Sequence, residues 1–135
     1  MVIVDTSALL AYLDQAGPDH ASVVAAFADN SGPFVVSELV LAELDYLVLT
    51  RYGVRQELAV LDAMGDPRWR ITALGRDGLA AARSLVARYA DAKIGLTDAA
   101  NVVLAERFGT DTVATLDRRR FAVLRLSSGP IRVVP

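Results

Sequence analysis

The sequence predicts an α/β fold, a three-layer α/β/α sandwich around a mostly parallel sheet of about five short strands. Three observations carry that expectation. Val2-Ile3-Val4 and Phe34-Val35-Val36 are short, wholly apolar runs rich in β-branched residues, the pattern of strands covered on both faces. Segments with helical spacing of apolar residues separate such runs along the whole chain. Glycine and proline fall as short punctuation between the segments rather than in linkers, and no repeat or low-complexity tract is present, so residues 1–135 are expected to form one domain.

The elements follow in order. After the first strand and Asp5, Thr6-Ser7 can cap a helix carrying Leu9, Leu10 and Leu13. A second helix follows Pro18-Asp19, with Val23, Val24 and Phe27 on one face, and Asn30-Ser31-Gly32-Pro33 ends it. After Phe34-Val35-Val36, Ser37-Glu38 opens a long helix bearing Leu39, Leu41, Leu44, Leu47 and Val48 as far as Tyr52-Gly53. Its apolar surface is broad enough to predict burial on more than one side. Residues 54–64 read as an amphipathic helix, 69–74 as a strand, and 77–89 as an Ala-rich helix. Thr97-Asp98 is expected to cap a helix with Val102, Val103, Ala105 and Phe108 that stops at Gly109, and residues 112–116 and 131–134 supply two further strands.

Composition narrows the chemistry. With no cysteine and one histidine, a disulfide scaffold, a zinc ribbon and thiol catalysis are excluded, and histidine-rich metal sites and most serine triads are disfavoured. No apolar stretch reaches 18 residues, and Met1-Val2-Ile3-Val4 runs straight into an acid, so neither a spanning helix nor a secretory signal is expected and the location expected is cytoplasmic. The net charge of −2 hides an asymmetry: residues 1–66 hold ten acids and two arginines, whereas residues 107–135 hold six arginines and two acids. Such a chain can set carboxylates beside a basic rim, as a site for a divalent cation and a polyanion would need; ordinary surface charge explains the same numbers.

In open parallel sheets, ligands bind beyond the carboxyl ends of the strands, so an acid that follows a strand projects into that crevice. Asp5 closes the first strand and Asp117 the predicted strand 112–116. Glu43 lies about two turns into the long helix among Leu and Val, and Asp98 lies in the first turn of its own helix, near backbone donors. Each acid has a plain structural alternative: Asp5 and Asp98 as caps, Asp117 as a turn former, Glu43 as a solvated residue or an arginine's partner. Taken together, four acids at one end of a sheet would repel one another unless a cation intervened, and an all-oxygen donor set favours Mg²⁺ or Mn²⁺ over zinc.

The segments around these acids resemble a known family. Ile3-Val4-Asp5-Thr6-Ser7-Ala8-Leu9-Leu10, Leu41-Ala42-Glu43-Leu44, Thr97-Asp98-Ala99-Ala100 and Thr115-Leu116-Asp117-Arg118-Arg119-Arg120-Phe121 look like the four motif blocks of PIN-domain ribonucleases, and most closely those of VapC toxins, in the family's order and over almost the whole chain. The resemblance implies a PIN-like sandwich and a Mg²⁺-dependent endoribonuclease that inhibits translation by cutting structured RNA, either transfer RNA or a ribosomal stem-loop. It also implies a homodimer held inactive by a VapB-like antitoxin. By resemblance Asp5, Glu43, Asp98 and Asp117 form the catalytic quartet, with Asp5 and Asp98 as direct metal ligands and Glu43 and Asp117 holding a second ion or acting through water.

Around the quartet, Thr6, Ser7 and Thr115 are placed to hydrogen-bond a carboxylate or a metal-bound water, with the cap of the first helix as the alternative for Thr6 and Ser7. Asn101, one turn after Asp98, reads as a water or phosphate contact or as an exposed polar residue. Arg118, Arg119 and Arg120 form the only basic run; adjacent residues cannot all point one way, and the run reads either as phosphate contact beside Asp117, with Arg118 and Arg119 the candidates, or as solvated side chains and salt bridges to the early acids. His20 is expected at the surface and Trp69 in packing. Tyr12, Leu44, Tyr46 and Leu47 fit either the core or a partner-binding groove. Two other classes fit less well. A Mg²⁺-dependent phosphatase-like enzyme would want a second acid two residues after Asp5. A nuclease-like module that only binds RNA or protein would have no use for four acids.

Overall fold

A computed structural model describes residues 1–135. The elements run β1 (Val2–Val4), α1 (Thr6–Leu13), α2 (His20–Ala28), β2 (Phe34–Ser37), α3 (Glu38–Tyr52), α4 (Val54–Met64), β3 (Trp69–Thr72), α5 (Gly75–Arg88), a 3₁₀ turn at Ala90–Ala92, α6 (Leu96–Phe108), β4 (Thr112–Ala114), α7 (Arg118–Val123), β5 (Arg125–Leu126), β6 (Gly129–Pro130) and β7 (Arg132–Val134). Five strands form one sheet in the order β3-β2-β1-β4-β7, and every pairing in it is parallel. The expected α/β sandwich is therefore present, with β5 and β6 as an additional antiparallel hairpin.

Strand alternation builds two cores from each apolar triplet. Val2, Val4 and Val36 face one side, where they meet Ala8 and Leu9 of α1, Val23 and Phe27 of α2, and Val40, Leu44 and Val48 of α3. Ile3, Val35 and Val113 face the other, against Ala82 of α5, Ala99, Val102 and Leu104 of α6, and Phe121 of α7. Most of these side chains are fully buried; at about 25 cal/mol per Å² each such aliphatic side chain contributes roughly 1.5–3 kcal/mol, which is why strands of only three residues hold their place.

The chain order fixes where a ligand can bind. From β1 the chain moves outward through β2 to β3, then crosses back to place β4 on the opposite side of β1. The crossover therefore reverses between β1 and β4, and a crevice opens there at the carboxyl ends of the strands. Register Val4↔Ala114 brings the residues that follow, Asp5 and Thr115, side by side at that end, and the Asp5 N–H donates to the Ala114 carbonyl at 2.9 Å.

Several sequence expectations are corrected. The strands expected over 69–74, 112–116 and 131–134 are shorter, ending or starting where the chain turns into the crevice or into the hairpin. Helix α6 begins two residues earlier than Thr97-Asp98 implied. Its N-cap is Gly95, and Asp98 is the third helical residue, its carboxylate reaching back to the Gly95 N–H at 3.1 Å. Helix α3 is buried along one stripe only, Val40-Leu44-Val48; Tyr46, Leu49 and Tyr52 are exposed, so its broad apolar surface is not covered within this chain. Trp69 is buried and meets Tyr12, Phe27 and Phe34 in an aromatic cluster, while His20 is half-buried with Nδ1 3.0 Å from the Ala11 carbonyl oxygen.

Candidate active site

Asp5 occupies the N-cap position of α1 with an extended backbone, but its carboxylate makes no N-cap hydrogen bond to the helix. The carboxylate turns into the crevice and is gripped from three directions. Thr115 Oγ1 donates to Oδ2 at 2.8 Å, Ser7 Oγ donates to Oδ2 at 3.1 Å, and Asn101 Nδ2 donates to Oδ1 at 3.1 Å. Backbone amides orient the two hydroxyls: Leu116 N–H donates to Ser7 Oγ and Asp117 N–H to Thr115 Oγ1, each at 3.0 Å. With an acceptor site on each hydroxyl filled by an amide, the proton each carries is available to Asp5, and the two hydroxyls also lie 3.2 Å from each other. Ser7 and Thr115 are thus supports for a carboxylate, and Asn101, which is fully buried rather than exposed, is a third.

Asp98 reaches the same crevice from α6. Its Oδ2 accepts the Gly95 N–H and a hydrogen bond from Arg120 Nη1 at 2.9 Å. Asp117 caps α7 as a turn former should, with Oδ1 accepting the Arg120 N–H at 3.1 Å, and its Oδ2 lies 3.4 Å from Arg120 Nε. Glu43 is exposed at the mouth, where Thr97 Oγ1 donates to its Oε2 at 3.2 Å. The crevice, about 410 Å³, is lined by Asp5, Asp98, Asp117 and Glu43 together, so the structure gathers all four acids around one space.

Burial raises the pKa of Asp5 above the usual carboxylate range, against the pull of the Thr115 and Ser7 hydroxyls, and the nearby Asp98 charge raises it further. Asp98 is also raised, first by burial and then by the Asp117 charge, although the Gly95 amide and Arg120 oppose the shift. Two carboxylates are therefore held ready-made in an environment that disfavours their charge. Buried carboxylates with raised pKa values that line one crevice are the pattern of a functional site.

That arrangement fits a divalent cation. The donor set is all oxygen, which suits a hard ion. The crevice is lined by six carboxylates, Asp14 and Asp19 being the other two, and only two cations, Arg51 and Arg120. Two buried oxygens at the site, Thr6 Oγ1 and Asn101 Oδ1, have no hydrogen-bond partner in the chain. As the side chains stand, no three acids converge to enclose an ion. Arg120 bridges Asp98 and Asp117 instead.

The basic run divides its work unexpectedly. Arg118 donates to the Pro135 carbonyl oxygen, Arg119 is exposed and makes no hydrogen bond or ion pair, and Arg120 makes both contacts with the acids. The sequence singled out the first two for RNA contact, and it is the third that takes the alternative offered for the run, salt bridges to acids. The signal was available: with Asp117 as N-cap, the residue three further on faces back towards the cap. Asp14, Asp19 and Arg51 were missed as crevice residues because each comes from a segment end with no motif around it.

The chain belongs to the PIN-domain family, whose profile matches residues 2–125. It is 49% identical to ribonuclease VapC26 of Mycobacterium tuberculosis, over 99% of this chain and all of that protein. Among solved structures it is similar to M. tuberculosis VapC20, described as a sarcin–ricin loop cleaving toxin, with a TM-score of 0.85 at 21% identity over all of both chains. It is also similar to VapBC of Salmonella typhimurium bound to DNA, with a TM-score of 0.71 at 19% identity over 98% of this chain and 96% of that one. At those identities the two structures attest the shared fold. Family membership and the VapC relative make this chain a VapC-type ribonuclease, and the family is generally metal-dependent.

Proposed function

We propose that this single-domain chain, residues 1–135, is a toxin endoribonuclease that cuts structured RNA, transfer RNA or a ribosomal stem-loop, with Mg²⁺ or Mn²⁺, and so inhibits translation in the cytoplasm. The observation that supports it best is that Asp5, Asp98 and Asp117 line one crevice at the β1/β4 crossover, two of them buried with raised pKa values. Asp5 and Asp98 are the residues to hold the ion. When bound, a divalent cation offsets charge growing on a phosphate and makes water a better nucleophile near neutral pH.

The chain's own residues do the rest. Ser7, Thr115 and Asn101 keep the Asp5 carboxylate in one orientation, so that this one group is already set for the ion. Glu43 at the mouth and Asp117 at the start of α7 reach the reacting phosphate through water. Arg119, unpaired and exposed beside Asp117, is free for a phosphate of the RNA, as is Arg51 on the crevice wall; Arg118 joins them once it leaves the C-terminus.

The partners proposed are a VapB-like antitoxin and a second copy of the chain. A groove of about 510 Å³ between α1, α3 and α4, lined by Leu10, Leu13, Val48, Tyr52 and Val60, adjoins the crevice through Leu10 and Asp14 and suits an apolar antitoxin helix. No helix of the chain is long and apolar enough to cross a membrane.

The test is cleavage of purified transfer RNA and of ribosomes by toxin freed of its antitoxin. Defined new RNA ends should appear with Mg²⁺ or Mn²⁺ and vanish with EDTA. Undiminished cutting in EDTA, or no cutting of either RNA with metal present, would overturn the reading.

A further inference from the structure

The basic run after Asp117 contains one arginine whose place the toxin's chemistry does not require. Arg120 lies in the first turn of α7, and its guanidinium holds two of the four site acids, Asp98 at 2.9 Å and Asp117 at 3.4 Å. Asp98 is almost wholly buried, its side chain only 9% exposed, so the pair stands at the crevice floor on one side and in solvent on the other. The neighbouring Arg118 and Arg119 make no such contact.

We propose that Arg120 is an internal counter-cation that sets the ion affinity of the site: it neutralises Asp98 and Asp117 while no metal is bound, and it must leave Asp98 for a divalent cation to bind tightly. The inference rests on the metal-site reading above and adds to it a residue that opposes metal binding. Its physical basis is competition for one charge. A guanidinium and a divalent cation on the same carboxylate repel each other, and in a partly buried crevice that repulsion is weakly screened. The same contact stabilises the metal-free fold, because Asp98, Asp117 and Asp5 would otherwise face one another without any cation in contact. Arg51, the other cation of the crevice, touches none of these acids and contributes only a general charge.

The experiment is calorimetric titration of the metal-free protein with Mn²⁺, together with thermal melts in EDTA, on wild type, Arg120→Ala, Arg120→Gln, Arg120→Lys and Arg51→Ala. Removing a charge-assisted hydrogen bond that is half in solvent should tighten Mn²⁺ binding at least about fivefold in Arg120→Ala and Arg120→Gln and lower their melting temperature in EDTA. Arg120→Lys should lie nearer wild type, and Arg51→Ala should change the affinity less. Equal or weaker Mn²⁺ binding in both neutral variants would overturn the proposal, as would an equal gain in Arg51→Ala, which would make the effect one of overall charge. Should folded wild type and every variant fail to bind Mn²⁺, the metal-site reading itself fails, and this inference with it. The Gln variant, close in length and still able to pack, keeps the comparison if the Ala variant does not fold.

Discussion

Asp5→Asn should reduce RNA cleavage by more than about a hundredfold and yet leave the metal-free protein more stable than wild type, by on the order of 1 kcal/mol. The loss follows from removing one of the two carboxylates best placed to hold the ion. The gain follows from burial: Asp5 is only 6% exposed, its pKa is raised chiefly by desolvation, and no cation touches it. An amide is spared the cost of charge and can still meet its neighbours, since the Ser7 and Thr115 hydroxyls accept as readily as they donate. The sign of the accompanying pH dependence is fixed. Asp5 and Asp98 both titrate above the ordinary 3.8, so the folded chain holds these protons more tightly than the unfolded chain. Stability from this source grows as pH falls through the raised values, is complete below 3.8, and is lost as pH rises. Wild-type protein in EDTA should therefore melt no lower at about pH 5 than at about pH 7, and Asp5→Asn should show less of that acid stabilisation. A variant that melts below wild type at neutral pH, or that cuts RNA normally, would contradict this account of Asp5.

Asn101→Leu should cost about 10–100-fold in kcat/KM with little loss of stability, because Asn101 acts through Asp5. It is fully buried, and its single hydrogen bond goes to Asp5 Oδ1 while its own oxygen has no partner. Replacing it by an apolar residue of similar size removes an unsatisfied buried atom and one hydrogen bond together, two effects of opposite sign and similar size. What is lost is the orientation of the Asp5 carboxylate. Weaker Mn²⁺ binding beside an unchanged melting temperature is the expected signature; unchanged binding and activity would reduce Asn101 to a packing residue.

How much was legible in the sequence differs between elements for physical reasons. Val2-Ile3-Val4 and Phe34-Val35-Val36 were readable because a strand covered on both faces has only apolar positions, and the acid after β1 was readable because that is where the sheet opens to ligands. The quartet also had motif blocks behind it, and the structure gathers all four acids around one crevice. Helix α7 was missed because six residues beginning Arg118-Arg119-Arg120 carry no helical pattern of their own; the Asp117 cap and the fully buried Phe121 hold it in place. Missing α7 hid the direction of Arg120. Asp98 was read as a cap because Thr97-Asp98 is a good capping pair, whereas Gly95, with no side chain to signal the start, takes that position. The uncovered side of α3 misled in another way: hydrophobicity records that a surface is to be buried, and Tyr46, Leu49 and Tyr52 are exposed in the single chain.

Folding gathers acids from distant segments around one crevice, and the function proposed above needs them to hold a divalent cation. Anomalous scattering from crystals soaked in Mn²⁺ tests it most directly. One strong peak is expected in the crevice, about 2.0–2.2 Å from carboxylate oxygens of Asp5 and Asp98, with Arg120 withdrawn from Asp98. A crevice without a peak at saturating Mn²⁺, Arg120 still paired with Asp98, would contradict it.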